Sequence, residues 1–448
     1  MQPVRLSQST YGPGGPRAAR SPRRPAGRRF GHQNALVTSR SILRDPAFGR
    51  LWFIQASTQV GGNMALYALT ILVFATTRSN AAVSALVMSF LIPTILLSAV
   101  AGVLVDRLDV RLALVIPNAV RTLLTIGLAI AGANVAVLLI LNLGISLTTV
   151  VLTPAEAAMI PRIVPKSQLE TAMGIFNLTL QASFAIGFAF LGPLMVSVAG
   201  PSFVLGVVAA FYAAATIATF GLPPAPPVDR KPGVASRALH EPIIQLHEGL
   251  AAIHGNRDVS RPLIHLAASA SLVGVIGVLG PALASSLGLD PDDLIVIVLP
   301  LGLGVVGGVV ALRRFGEGVP RRRAGELGLG SFAVLAVAIS IVADAASGLS
   351  IPVIPIAVAL AFLAGSAYAA TTVSAQTALF ESMPAGVRGR VFGVLASIVS
   401  AASLLPILIA GPLADATSGP LVIGITAAAV IGVALWSAFA FGPRVRSG

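Results

Sequence analysis

The chain alternates long apolar runs with short polar breaks. The runs cover 51–75, 82–105, 112–132, 135–156, 168–197 and 202–222, then 263–287, 294–313, 325–345, 351–378, 388–412 and 420–441. A helix needs roughly 20 apolar residues to cross a hydrocarbon core of about 30 Å. The pattern therefore predicts an all-α membrane protein with twelve transmembrane helices in two groups of six. Glycines and prolines inside the runs do not count against this, because membrane helices tolerate both.

Composition narrows the reading. Of the 448 residues, 55% are hydrophobic and 10% charged, where soluble domains carry roughly 25% charged residues. With no cysteine, disulfides, thiolate metal sites and cysteine nucleophiles are excluded. No Gly-rich phosphate loop ending in a lysine is present, so ATP is not the expected energy source. No triad or metal cluster is visible either, so neither an enzyme nor a cofactor is expected.

Charge gathers at the breaks and at one end. The net charge is +13, and residues 1–50 contribute ten arginines against one acid, Asp45. Residues 1–46 read as a disordered basic tail, too poor in apolar surface to fold. The Arg23-Arg24 and Arg28-Arg29 pairs are not a twin-arginine signal, since no short apolar segment with a cleavage site follows. Because the excess charge is a tail beside a membrane body, no nucleic-acid partner is expected; the partners are a lipid bilayer and a small-molecule substrate. If the N-terminus is inside, the inner loops hold Arg107, Arg111, Arg162, Lys166, Arg313, Arg314, Arg321 to Arg323, Arg388, Arg390, Arg444 and Arg446. The outer loops hold Arg78 and the acids Asp290, Asp292, Asp293, Asp344 and Asp415. That asymmetry predicts a multi-pass protein of the cell membrane with both termini cytoplasmic, and a monomer is expected.

The expected organisation is a six-helix bundle over 47–222, a linker over 223–262, a second bundle over 263–441 and a tail over 442–448. The linker opens with Pro223, Pro224, Pro226 and Pro227, and residues 236–254 read as an amphipathic helix. His240, His247 and His254 lie on one face of it, about 10 Å apart, too far to share one ion. The halves also repeat. An offset of 219 carries Pro165 to Pro384, Gly174 to Gly393, Gly192-Pro193 to Gly411-Pro412 and Gly200-Pro201 to Gly419-Pro420. Six helices per repeat keep the orientation, so the repeats are parallel and related by an axis along the membrane normal.

Between the second and third runs lies Gly102 to Arg111, GVLVDRLDVR. Gly102, Leu104, Asp106, Arg107 and Arg111 resemble the signature loop between helices 2 and 3 of the major facilitator superfamily. Asp109, in place of the second glycine, is similar to the branch of enterobactin exporters and macrolide-efflux proteins. An offset of 206 finds a worn second copy, with Gly308 for Gly102, Arg313 for Arg107 and Leu312 for Asp106.

The resemblance implies a cleft between the bundles, lined by helices 1, 4, 7 and 10, and rocker-switch alternating access. It implies that Asp106 faces the start of helix 11, at Arg388, Gly389 and Arg390, as a breakable gate. A plain helix-terminating role is the alternative. For the cavity it points to Gln55, Gln59, Asn63 and Tyr67, then Asn142, Ser146 and Thr149, then His265 and Ser269, then Tyr368, Thr372 and Gln376; each also suits ordinary helix packing. Arg121, deep in the third run, costs about 2.5–3.5 kcal/mol unpaired in lipid, and Glu156 is the nearest plausible partner. Arg162 and Glu381, equivalent under the 219 offset, are a second candidate pair. Where related exporters carry acids in helices 1 and 3, this chain has Asn63 and Asn118, which weakens the implied proton antiport. The expected function is export of a small amphipathic molecule. An importer on the same fold, and a non-transporting scaffold, are the alternatives.

Overall fold

The computed structural model describes residue 42 and residues 44–226, 257–315, 320–346, 352–382 and 388–440. The expected helix 236–254 with its three histidines lies outside these residues, as do most of the N-terminal tail and the C-terminal 442–448.

Among the described residues, twelve helices are long and apolar enough to cross a membrane. They are α1 Pro46–Thr77, α2 Asn80–Arg107, α3 Val110–Ile130, α4 Val135–Ile163, α5 Lys166–Ala199, α6 Pro201–Phe220, α7 Arg257–Ser286, α8 Ile295–Phe315, α9 Arg321–Asp344, α10 Val353–Ser382, α11 Arg388–Ala416 and α12 Gly419–Ala440. Side chains such as Leu96, Leu123, Ile130, Val198, Ile217, Ile341 and Phe439 stand exposed around the outside. So large an apolar surface is unsuited to water and fits lipid.

Two helices start ahead of their apolar runs at a capping aspartate. Asp45 caps α1, accepting from Ala47 N at 2.8 Å and Phe48 N at 3.3 Å. Asp109 caps α3 in the same way, accepting from Arg111 N at 2.8 Å, so α2 and α3 are joined by Leu108 and Asp109 alone. A capping carboxylate answers the unpaired N–H groups of the first turn and the positive end of the helix dipole. Two expected boundaries move. Ile42, placed in the tail, is buried beside Phe48 and Leu51. The first described residues after the linker, from Arg257 on, are already helical ahead of the apolar run at 263, because helical hydrogen bonding does not stop where hydropathy does.

The charged ends of the helices gather on two faces. On the basic face Arg50 Nη1 donates to Gly221 O at 2.7 Å, Arg162 Nη1 donates to Pro226 O at 2.8 Å, and Arg111 donates to Phe220 O. There too Arg261 pairs with Glu326 and Arg321 with Glu381. Glu381 is thus held by α9 within its own half, and the expected pair with Arg162 is not formed. The opposite, acidic face carries Asp290, Asp292, Asp293, Asp344 and Asp415.

Small residues set the closest approaches. A Cβ on Gly304 would stand 1.9 Å from Phe362 O, and one on Gly365 2.0 Å from Leu301 O, so α8 and α10 meet backbone to backbone. Such contacts supply the packing that association in lipid lacks from hydrophobic burial. Within α5 the turn widens to a π-helix over Ala185–Leu191. There Gly187 seats against Val60 O of α1, and Ala189 against Gly302 of α8. A buried core that includes Val83, Leu86, Leu272, Val275, Ile407 and Ala410 runs without a break through both halves.

Candidate functional site

The seam between the halves is closed by hydrogen bonds on the acidic face. Both oxygens of Asp415, one residue before the end of α11, receive donors from the start of α2. Oδ1 accepts from Asn80 N at 2.7 Å and Asn80 Nδ2 at 2.9 Å. Oδ2 accepts from Ser79 Oγ at 2.6 Å and Ala81 N at 3.0 Å. One turn deeper, Ser84 Oγ donates to Ile407 O at 2.8 Å and accepts from Gly411 N at 3.2 Å. Gly411 is required here: a Cβ would stand 2.3 Å from Ser84 Oγ and 2.4 Å from Asn80 O.

At the basic face Arg107, Arg313, Arg314 and Glu170 are exposed and Arg111 is half-buried. Gly102 borders open space. The side chains of Asp106, Arg388 and Arg390, with Gly389, lie outside what the structure describes; their helices place them at the end of α2 and the start of α11, on this face.

The cavity candidates divide. Several polar groups are spent holding a single half together. Gln55 Nε2 donates to Phe176 O of α5 at 3.2 Å. Asn142 Nδ2 donates to Leu86 O and Ser89 Oγ of α2 at 3.1 and 2.9 Å. Ser146 Oγ donates to Phe90 O at 2.6 Å. His265 Nε2 lies 2.9 Å from Ser437 Oγ of α12, and the residue lines a cavity with Arg261 and Ser374 of its own half. Tyr67 is fully buried against Phe188, and its hydroxyl has no hydrogen-bond partner. Gln59, Asn63, Tyr368, Thr372 and Gln376 are half-buried. Asn63 Nδ2 and Thr372 Oγ1 bond only to carbonyls of their own helices.

Arg121 and Glu156 make no direct ion pair, although the two are near enough to attract each other. Arg121 Nη2 donates to Tyr212 Oη of α6 at 2.8 Å, and its guanidinium carbon lies 4.1 Å from that ring's centroid. Its direct contacts are thus an aromatic face and a phenol oxygen rather than a carboxylate. The arginine fits because Gly62 of α1 leaves space, with Tyr212 Oη 3.5 Å and Arg121 Nη2 3.7 Å from where a Cβ would be. Glu156 is buried, and its Oε1 has no hydrogen-bond partner.

Sequence reasoning missed the Asp415 contact and Tyr212. A signal for the first was present. An acid at a helix C-terminus opposes the dipole of its own helix, so Asp415 is out of place unless it serves another helix.

Twelve membrane helices in two bundles with a seam between them define a polytopic membrane protein of transporter architecture. The model of the Major Facilitator Superfamily matches residues 51–406, and the chain belongs to that family. No curated protein matches it. Among solved structures it is similar to the nucleoside transporter NupG, with a TM-score of 0.66 at 14% identity over 89% of this chain and 100% of that one. It is also similar to a POT family transporter in complex with 5-aminolevulinic acid, with a TM-score of 0.65 at 12% identity over 92% and 100% of the two chains. The POT family transporter PepTSo gives a TM-score of 0.62 at 14% identity over 87% and 97%.

Proposed function

We propose that this protein is a secondary active transporter of the cell membrane that exports a small amphipathic molecule by alternating access. Drug-like compounds, siderophores and natural products are the substrate class, as the resemblance to the enterobactin-exporter and macrolide-efflux branch suggests. The basic face is the cytoplasmic one, with both termini on it. The observation that carries this reading is the seam, hydrogen-bonded between α2 and α11 on the acidic face while charged helix ends of the basic face stand exposed. In that arrangement the substrate enters from the cytoplasm and leaves once the acidic mouth opens.

Gln59, Asn63, Thr372 and Gln376 line the path in this reading: they are polar, half-buried and on helices from both halves. Their neutrality suits a substrate with few fixed charges. Asp106 closes the basic mouth in the opposite state by docking on the start of α11, where Arg388 and Arg390 add to the dipole's positive end. The coupling ion is the proton, and Glu156, a carboxyl buried in α4, is the group that carries it.

The test is uptake into inside-out vesicles, with a panel of fluorescent amphipathic compounds and an imposed pH gradient. The reading predicts gradient-driven accumulation that Glu156→Gln reduces to downhill equilibration. Equal uptake with and without the gradient would remove the antiport, and no uptake of any compound would favour a non-transporting role.

A further inference from the structure

We propose that Asp415 is the latch of the acidic mouth, built on the same plan as the Asp106 contact but with the two helices exchanged. At the basic end, in the reading above, an acid at the C-terminus of α2 docks on the N-terminus of α11. At the acidic end, an acid at the C-terminus of α11 docks on the N-terminus of α2. The second contact is seen directly, with all four bonds between 2.6 and 3.0 Å.

Three features mark it as more than a cap. First, α2 already has one: Ser79 Oγ accepts from Ala82 N at 3.2 Å, so helix initiation does not need a residue from the other half. Second, the pair is antiparallel and bonded one turn deeper through Ser84 and Gly411, so the carboxylate sits at the tip of a zipper that opens from the face inward. Third, the contact is not repeated at the symmetry-related seam. The 219 offset carries Val196 of α5 to Asp415, and the corresponding α5–α8 seam is packed by Ala189 against Gly302. A hydrophobic seam can slide or rock, whereas a carboxylate with four donors is either docked or released.

The consequence is a helix pair with one acid at each end and mutually exclusive docking. Asp415 is exposed, so each bond exchanges readily for water, and the latch is weak enough to break in every cycle. Losing a cap costs about 0.5–2 kcal/mol, equivalent to a roughly two- to thirtyfold change in the ratio of open to closed acidic mouths.

This inference rests on the alternating-access reading but is tested without a substrate. The native chain has no cysteine, so spin labels go in cleanly. In lipid nanodiscs, Ala133→Cys with Ser285→Cys reads the acidic mouth, and Lys166→Cys with Arg323→Cys reads the basic one. All four sites are exposed. Asp415→Ala should raise the long-distance fraction at the acidic mouth by roughly two- to thirtyfold in open-to-closed ratio and shorten the basic-mouth distances. Asp415→Asn, close to isosteric and keeping one acceptor oxygen, should show the same change to a smaller extent, and it carries the test if the alanine variant fails to fold. Acidic-mouth distances in the asparagine variant that superimpose on the wild type would overturn the latch. Asp106→Asn should shift both pairs the other way. If it alone has no effect, the basic gate falls and the Asp415 latch stands.

Discussion

Gly411→Ala puts one methyl group into the tightest point of the seam. The new Cβ would lie 2.3 Å from Ser84 Oγ, 2.4 Å from Asn80 O and 2.8 Å from Asn80 C. Ser84 can rotate away, but Asn80 O belongs to the backbone of α2, so the helices must part by about 1 Å to restore ordinary contact. Asp415 is one turn further along α11. Parting of that size takes its bonds, now 2.6–3.0 Å long, past the roughly 3.2 Å where such bonds end. Losing the carboxylate's contact costs about 0.5–2 kcal/mol, so the parting moves the mouth by up to the same roughly two- to thirtyfold toward open. The assay is the spin-label distance at the acidic mouth, with Gly330→Ala in α9 as control. Gly330 has nothing within 4 Å of a built Cβ, and alanine there should stabilise the helix by up to about 1 kcal/mol. If Gly411→Ala left the distances unchanged in a folded protein, the seam would not be the closed mouth and the reasoning would fail.

Asp106→Asn should impair transport while membrane insertion, followed by surface labelling, stays normal; undiminished transport would remove the gate. Tyr212→Phe takes away the acceptor of Arg121 and should lower stability by about 1.5–3 kcal/mol in thermal unfolding. The same change in an Arg121→Met background should cost much less, which a double-mutant cycle reads directly. Gly365→Ala should abolish the folded yield, because its Cβ would meet Leu301 O at 2.0 Å with backbone on both sides and no side chain to give way.

Helix number, pairing into sixes and the two-faced distribution of charge were all legible in the sequence, because lipid forces every crossing segment to be long, apolar and helical. The ends were less so. Hydropathy stops at the first charges, whereas α1 begins at Pro46, capped by Asp45, and α7 is helical from Arg257 on among the described residues. Periodicity also could not say which polar residues face a cleft. Asn142 and Ser146 read as lining and hydrogen-bond to α2; His265 bonds to Ser437 and also lines a cavity with Arg261 and Ser374. Internal symmetry of sequence does not extend to surroundings at one point. Gly308 is the repeat partner of Gly102, yet Gly308 meets Ser366 of α10 while Gly102 borders open space. Arg121 was read as needing a partner; its direct contacts come from a tyrosine that supplies both an oxygen and a ring face, with Glu156 acting on it only electrostatically.

In alternating access the acidic mouth must open in every transport cycle. Ser79 and Asp415 face each other across the seam, so Ser79→Cys with Asp415→Cys is the pair to cross-link by a disulfide that reductant can open. With the cross-link formed quantitatively, by mass, uptake of a transported compound into inside-out vesicles should stop, and reduction should restore it. Uptake at the same rate in the oxidised and reduced proteins would contradict the account.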